Sequence, residues 1–311
     1  MVHNKQGIDM LHGRIWTKVL RFALPVAATG ILEQLFNASG IMIVGNFSQS
    51  DGTAAVAAVG SNAPVTGLIL NLFIGIALGA NVVIANAIGR GSREAVRNAV
   101  HTSIVTALIG GVIVAIIGEL LAGPLLGMLN VTADVFPLAL AYLRIYLIGM
   151  PVILLYNFET AIFRSIGDTQ APLAVLAISG VLNVTMGLIF VVLFHWGVSG
   201  VATATVIANV VSSMILLYRL VHTDAAIHVD LREFGIDWFT LRQILRIGLP
   251  AGVQSAVFAV ANIIIQAAIN SLGTVVMAAS SAAFNIEIIA YYVLNSFSQA
   301  CATFTGQNYG A

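Results

Sequence analysis

The chain alternates between long apolar runs and short connections rich in Gly, Asn, Asp and Ser. Runs such as Val100–Leu121 and Ala171–Trp196 are 20 residues or longer, the length a helix needs to cross a bilayer. They lack the two-residue alternation over about ten residues that marks a membrane β-strand. The pattern predicts eight helical spans, over Lys18–Asn46, Ala54–Ala85, Val96–Leu121, Phe136–Phe158, Ala171–Trp196, Val198–Leu220, Leu241–Asn270 and Thr274–Gly306. One connection differs from the rest. Val221–Thr240 holds His222, Asp224, His228, Asp230, Arg232, Glu233 and Asp237, and is predicted to link two lobes. Pro25, Pro64, Pro151 and Pro250 fall within predicted spans, where a missing backbone donor kinks a helix. Such kinks permit bending and are also ordinary membrane architecture. The Gly, Ala and Ser abundance fits close helix packing.

Composition decides what solvent these runs face. The hydrophobic fraction is 59 % and the charged fraction 8 %, with a mean hydropathy of +0.98. A soluble domain carries roughly 25 % charged residues. Lipid must therefore surround most of this chain, and in lipid the backbone has to satisfy its own hydrogen bonds. The expected fold class is an all-α membrane protein, a polytopic helical bundle. A single cysteine, Cys301, excludes a disulfide framework or a thiolate metal cluster within one chain. A formal net charge of zero gives no pointer to nucleic acid, and none is expected as a partner. The segment Met1–Arg21 is polar and mildly basic without a cleavage site, so no cleaved signal peptide is expected.

Charge then orients the bundle, because cytoplasmic loops retain Lys and Arg. Lys5, Arg14, Lys18 and Arg21 precede span one, and Arg90, Arg93 and Arg97 follow span two. Arg164 follows span four, and Arg219, Arg232, Arg242 and Arg246 surround the linker. These are 12 of the 13 basic residues, all on one side. The opposite turns, near Asp51, Asp134, His195 and Leu272, hold none. Both ends of the chain are thus expected to face the cytoplasm.

A repeat sets the domain plan. Leu20-Arg21-Phe22-Ala23-Leu24-Pro25 returns 225 positions later as Leu245-Arg246-Ile247-Gly248-Leu249-Pro250. Ala85-Asn86-Ala87-Ile88-Gly89 is paralleled, after a gap, by Gly306-Gln307-Asn308-Tyr309-Gly310. Spans seven and eight therefore look like spans one and two again, in the same orientation, as in parallel-repeat transporters. The expected division is a six-helix lobe over 1–220, a cytoplasmic linker over 221–240, and the first two helices of a second lobe over 241–311. On that plan about four further spans are expected beyond Ala311.

Intramembrane carboxylates cost roughly 2.5–3.5 kcal/mol on insertion scales and usually mark ion or substrate pathways. Glu33, eight residues after Pro25 in the middle of span one, is the leading candidate for proton or cation coupling. Asn37 sits one turn further on the same face. Glu287, mid-span in span eight, is a second candidate for a cavity. Glu159 and Glu119, near span ends, are expected to reach interfacial water and to be structural. Arg144 is predicted in the outer third of span four, snorkelling or paired.

Several stretches then resemble a known family in combination. They are Arg164-Ser165-Ile166-Gly167-Asp168-Thr169-Gln170-Ala171-Pro172, then Leu182-Asn183, then Gly200-Val201-Ala202-Thr203-Ala204-Thr205. With the Leu-Pro openings of spans one and seven and the run Thr305-Gly306-Gln307-Asn308, they resemble the multidrug and toxic compound extrusion (MATE) family over nearly the whole chain. The resemblance implies two six-helix lobes related by pseudo-two-fold symmetry around a central cleft, the second lobe incomplete here. It implies a multi-pass monomer of the bacterial cytoplasmic (inner) membrane. It also implies a secondary active antiporter, exporting organic cations, drugs or other amphiphiles by alternating access in exchange for H+ or Na+, with no other cofactor. Within the motif, Gly167 permits a tight turn, and Asp168 with Thr169 can cap the helix that begins near Pro172.

The resemblance carries over unevenly. Many relatives place one aspartate late in span one and another four residues after the fifth-span asparagine; those positions are Gly40 and Gly187 here. Asn183 and Thr205 match the asparagine and threonine that accompany those aspartates in a cation site. Other relatives use a span-seven glutamate, where this chain has Phe258, the repeat counterpart of Glu33. The expected ion-coupling or substrate-binding set is Glu33, Asn37, Asn183, Thr205 and Glu287, with no metal site and no catalytic residue.

Other functions were weighed on the same residues. Gly197-Val198-Ser199-Gly200 matches the short string of rhomboid-type intramembrane proteases. Ser199 falls in an outer turn, however, and no histidine occurs mid-span to serve as its base. His195 is too close in sequence to act. No G-x-x-x-x-G-K phosphate loop occurs, so an ion gradient is the expected driving force. A flippase for lipid-linked sugars would place several cations in the cleft, and only Arg144 is predicted within the membrane. A non-transporting scaffold is the third alternative.

Overall fold

A computed structural model describes residues 7–48, 52–129, 131–230, 235–271 and 274–311. The predicted roles of Lys5, Asp51, Arg232, Glu233 and Leu272 lie outside the described residues. Among those described, the regular structure is helical, without strands: α1 (Ile15–Phe47), α2 (Gly52–Gly89), α3 (Arg93–Met128), α4 (Phe136–Ile148), α5 (Met150–Ser165), α6 (Gln170–Leu188), α7 (Gly197–His222), α8 (Trp238–Ser271) and α9 (Thr274–Gly310). A π-helical turn, Ile189–Leu193, carries α6 onward.

Seven of the predicted spans each overlap one helix. The fourth is broken: α4 and α5 meet at Gly149 with a bend of 53°. Pro151, in the first turn of α5, has no N–H to continue the helical ladder, which accounts for the break there. After it, α5 runs on to Ser165, seven residues past the predicted end, and takes Glu159 and Arg164 into the bundle. Pro25, Pro64 and Pro250 lie inside α1, α2 and α8. By length and apolarity six described helices suffice to cross a membrane, or seven spans with the bent pair.

Two apolar clusters hold the first seven helices together. One joins α2, α3, α5 and α7 through Ile84, Val100, Ile104, Phe158, Ile162 and Leu216; the other joins α1, α2, α3, α4 and α7 through residues such as Val44, Ala58, Leu126, Leu143 and Val201. Large apolar side chains also point outward, with Leu120 at 76 % and Leu193 at 68 % exposure, as expected where lipid covers them. In lipid the contact between helices depends on close fit rather than on removing apolar surface from water. The α2–α8 pair shows this: a Cβ on Gly75 would lie 2.1 Å from the Gly252 nitrogen, so only glycine permits this backbone approach.

The α8–α9 pair packs against α1 and α2 at one end of the bundle only. Ser296, Ala300, Thr303, Phe304 and Gln307 are buried there, whereas Val257, Phe258, Ile264 and Ile289 toward the other end are exposed. The closed end also gathers the start of α1, the α5–α6 turn and the end of α9: Asn308 Nδ2 donates to the Met10 carbonyl (3.0 Å), and Gln307 Nε2 donates to the Ser165 carbonyl (2.7 Å).

Candidate functional site

Within the first seven helices a cleft of about 170 Å³ opens between α1, α2, α4, α5, α6 and α7. Four of the five sequence-predicted site residues line it: Glu33 and Asn37 from α1, Asn183 from α6 and Thr205 from α7. Residues 150 positions apart in the chain thus share one wall, because α6 and α7 pack against each other and α1 packs against α6. Glu33 and Asn37 retain accessible surface, and that surface lies on the cleft. Glu287 is elsewhere, exposed on α9 and not part of the lining.

The cleft is lined by polar groups that both donate and accept. Asn157 donates its Nδ2 to the Ile153 carbonyl (2.8 Å) and Asn209 to the Thr205 carbonyl (2.9 Å). Each amide keeps its Oδ1 and a second hydrogen for a ligand. Thr205 likewise donates its hydroxyl to the Val201 carbonyl (3.0 Å), which leaves its oxygen to accept. Tyr146 and Tyr156 bring phenol rings to the same lining. The sequence reading missed Tyr146, Tyr156, Asn157 and Asn209. Asn157 and Asn209 left a usable signal, since an amide inside an apolar span needs a reason to be there. At Gly187, where many relatives carry an aspartate, Ile43 and Ala204 are the neighbours, with Ile43 Cδ1 3.5 Å from where a Cβ would sit.

Three charged residues depart from or refine their expected places. Glu159 does not reach interfacial water: it is fully buried, because α5 continues past the predicted span end, and it faces the Ser213 hydroxyl on α7 without a full-geometry hydrogen bond. Arg164 is not a loop residue. It lies in the last turn of α5, half-buried, and its Nη1 donates to Gln299 Oε1 on α9 at 2.7 Å. Arg144, expected to snorkel or pair, does pair: its Nε lies 3.5 Å from Glu119 Oε2.

The turn between α5 and α6 is a structural device. Gly167 adopts φ +83°, a conformation other residues enter only with strain. Asp168 Oδ1 accepts the Ala171 N–H at 3.0 Å and so caps α6, while Thr169, at the cap position itself, makes no side-chain cap. Burial pushes the Asp168 carboxyl above its usual range, against the opposing pull of the Ala171 N–H and of Arg219. The linker is pinned to α3: His101 Nε2 accepts the Asp230 N–H (3.2 Å) and Thr102 Oγ1 accepts the Asp237 N–H (3.0 Å). Asp237 then caps α8, held below the usual carboxylate range by the Thr240 hydroxyl. Among the described residues no group of three or more His, Cys, Asp or Glu is placed to hold a metal ion.

Comparison with known proteins matches the chain to the MatE family model over residues 25–189 and 250–311. The chain is 25 % identical to a probable multidrug resistance protein, YpnP, of Bacillus subtilis, covering 98 % of the chain and 67 % of that protein. It is 26 % identical to a probable multidrug resistance protein, NorM, of Thermotoga maritima, covering 94 % and 63 %. Among solved structures it superposes on a multidrug resistance MATE transporter in an outward-facing conformation with a TM-score of 0.89 at 26 % identity, covering 99 % of the chain and 68 % of that structure. The chain spans about two thirds of the length of these relatives.

Proposed function

The chain belongs to the multidrug and toxic compound extrusion family of membrane transporters, and on that premise we propose that it is part of a secondary antiporter that exports cationic or amphiphilic small molecules in exchange for H+ or Na+. The observation that carries this reading is the convergence of Glu33, Asn37, Asn183 and Thr205 on one cleft. One carboxylate among amide and hydroxyl oxygens suits a cation, whether a proton, a sodium ion or the charged end of a cargo molecule.

Glu33 is the proposed coupling group. The positions that hold aspartates in many relatives are Gly40 and Gly187 here, which leaves Glu33 as the carboxylate on the cleft wall. A proton or a cation that neutralises it competes with cargo for the same charge, which is the simplest form of exchange. The uneven distribution of Lys and Arg supports an orientation with the closed end, and both ends of this chain, toward the cytoplasm.

The test is efflux of a fluorescent cationic dye from vesicles holding the intact transporter, under imposed proton or sodium gradients. Efflux driven by one gradient and lost in Glu33→Gln supports the reading and names the ion. Dye movement unaffected by either gradient, or retained in a folded Glu33→Gln variant, overturns it.

A further inference from the structure

Two hollows away from the cleft share one residue. The first, of about 240 Å³, lies at the closed end, between the segment before α1, the start of α1 and the α5–α6 turn. Asp9, Lys18, Arg21, Asp168, Thr169 and Gln170 line it. The second is a groove of about 740 Å³ between α1 and α6, lined by residues such as Pro25, Ala28, Leu32, Leu173 and Ala174. Gln170 lines the groove as well, so the charged pocket leads directly into an apolar one.

The pocket has fixed walls. A Cβ on Gly167 would lie 2.8 Å from the Ile8 nitrogen, so the segment before α1 packs directly on the α5–α6 turn. Lys18 Nζ donates to the Asp9 and His12 carbonyls and lies 3.8 Å from Asp9 Oδ2. Thr169 is only 3 % exposed, and its hydroxyl makes no cap to α6 and has no hydrogen-bond partner among the described residues. Arg21 is exposed and brings a planar fork of donors that matches a phosphate. Two cations, Lys18 and Arg21, thus share the pocket with two carboxylates, Asp9 and Asp168. The groove faces lipid, because Ala174, Ile178 and Val181 form one exposed apolar face of α6. Its depth also fits. Trp16, exposed two residues before Lys18, is a residue type that settles at the membrane–water interface. From Arg21 to Leu32 the helix rises about 16 Å, close to the roughly 15 Å of hydrocarbon in one leaflet.

We propose that pocket and groove together bind one phospholipid with a primary-amine headgroup, from the leaflet at the closed end. Its phosphate meets Arg21, the remaining N–H of Lys18 and the Thr169 hydroxyl, and one acyl chain lies along α1 and α6. The balance of charge in the pocket selects the headgroup. A net-anionic lipid would satisfy the two cations but set its surplus charge against Asp9 and Asp168. A zwitterion satisfies both signs. A primary ammonium carries three donors for the carboxylates, whereas a trimethylated one has none. Such a lipid joins the start of α1 to the start of α6 at the closed end, where the two helices leave a groove between them. It adds a binding site to the molecule that is separate from the cleft holding Glu33.

The experiment titrates the intact transporter, purified free of lipid in detergent, with palmitoyl-oleoyl phosphatidylethanolamine. Retained lipid is counted by native mass spectrometry, and thermal unfolding is followed in parallel. One tightly held lipid is expected, raising the melting temperature by about 3 °C. Phosphatidylcholine and phosphatidylglycerol with the same chains should each bind about tenfold more weakly, as should the parent lipid to Arg21→Gln, the scale of a lost charge-assisted hydrogen bond. Ala174→Trp, which fills the groove and leaves the pocket intact, should weaken binding about fivefold through lost fit. Arg21 and Ala174 are both exposed, so neither variant should alter unfolding in the absence of lipid. No retained lipid, equal binding of the three headgroups, or unchanged binding in either variant would overturn the proposal. So would equally tight binding of free phosphoethanolamine, which lacks the chains. The measurement involves no transport, so the export reading and the lipid site stand or fall separately.

Discussion

Glu33 and Glu159 are both glutamates inside the helical bundle, and their surroundings differ in every respect that matters for exchange. Glu33 opens onto a cleft with asparagines, a threonine and two tyrosines around it. Glu159 is sealed between α5 and α7, with no exposed surface and the Ser213 hydroxyl as its polar neighbour. Both carry the expense of an acid removed from water, but only Glu33 has a route by which an ion can come and go. A carboxylate within the membrane is therefore a pointer to function only once its access is known.

The comparison can be broken by substitution. Glu33→Gln is expected to lower gradient-driven dye efflux by about tenfold or more, with normal expression and melting temperature in detergent. Equal loss from Glu159→Gln would erase the distinction between the two acids. Next in size, Asn183→Ala and Thr205→Ala should each reduce efflux by a factor of about three to ten, by removing acceptors around the same ion. Unchanged transport in both would remove α6 and α7 from the site. Glu159→Gln is expected to keep efflux within about twofold and to shift stability by less than about 1 kcal/mol, read from thermal unfolding.

Asp168 sharpens the contrast from outside the spans. Asp168→Ala should cost about 1 kcal/mol through loss of the α6 cap, with little effect on ion selectivity. Because burial raises its pKa in the folded state, the folded protein holds that proton more tightly than the unfolded chain does. Its contribution to stability is then largest in acid and declines as pH rises through the raised value, a trend Asp168→Asn should abolish. The smallest effect is expected at Glu287, whose exposed place on α9 predicts that Glu287→Gln leaves efflux unchanged.

The same contrast explains which parts of the molecule were legible beforehand. Glu33 and Asn37 could be paired from spacing alone, since four residues make one helical turn. Glu159 was misjudged because its depth depends on where α5 ends, and α5 runs on to Ser165 after the break at Gly149. Arg164 was misjudged for the same reason, and its partner Gln299 lies 135 positions away. No local pattern announces such a pair.

The amino-acid sequence by itself determined the helical membrane class and the approximate positions of most spans, because each follows from hydropathy and periodicity within a few turns of chain. The family too was legible, through the motif from Arg164 to Pro172 and its companions. Only the tertiary structure decided which polar residues meet. Asn157, Asn209 and Tyr146 reach the cleft because α4, α5 and α7 pack as they do, and Gln299 and Gln307 of α9 find their partners on α5. Access and long-range partnership are properties of packing, and packing brings together residues whose separation along the chain carries no signal.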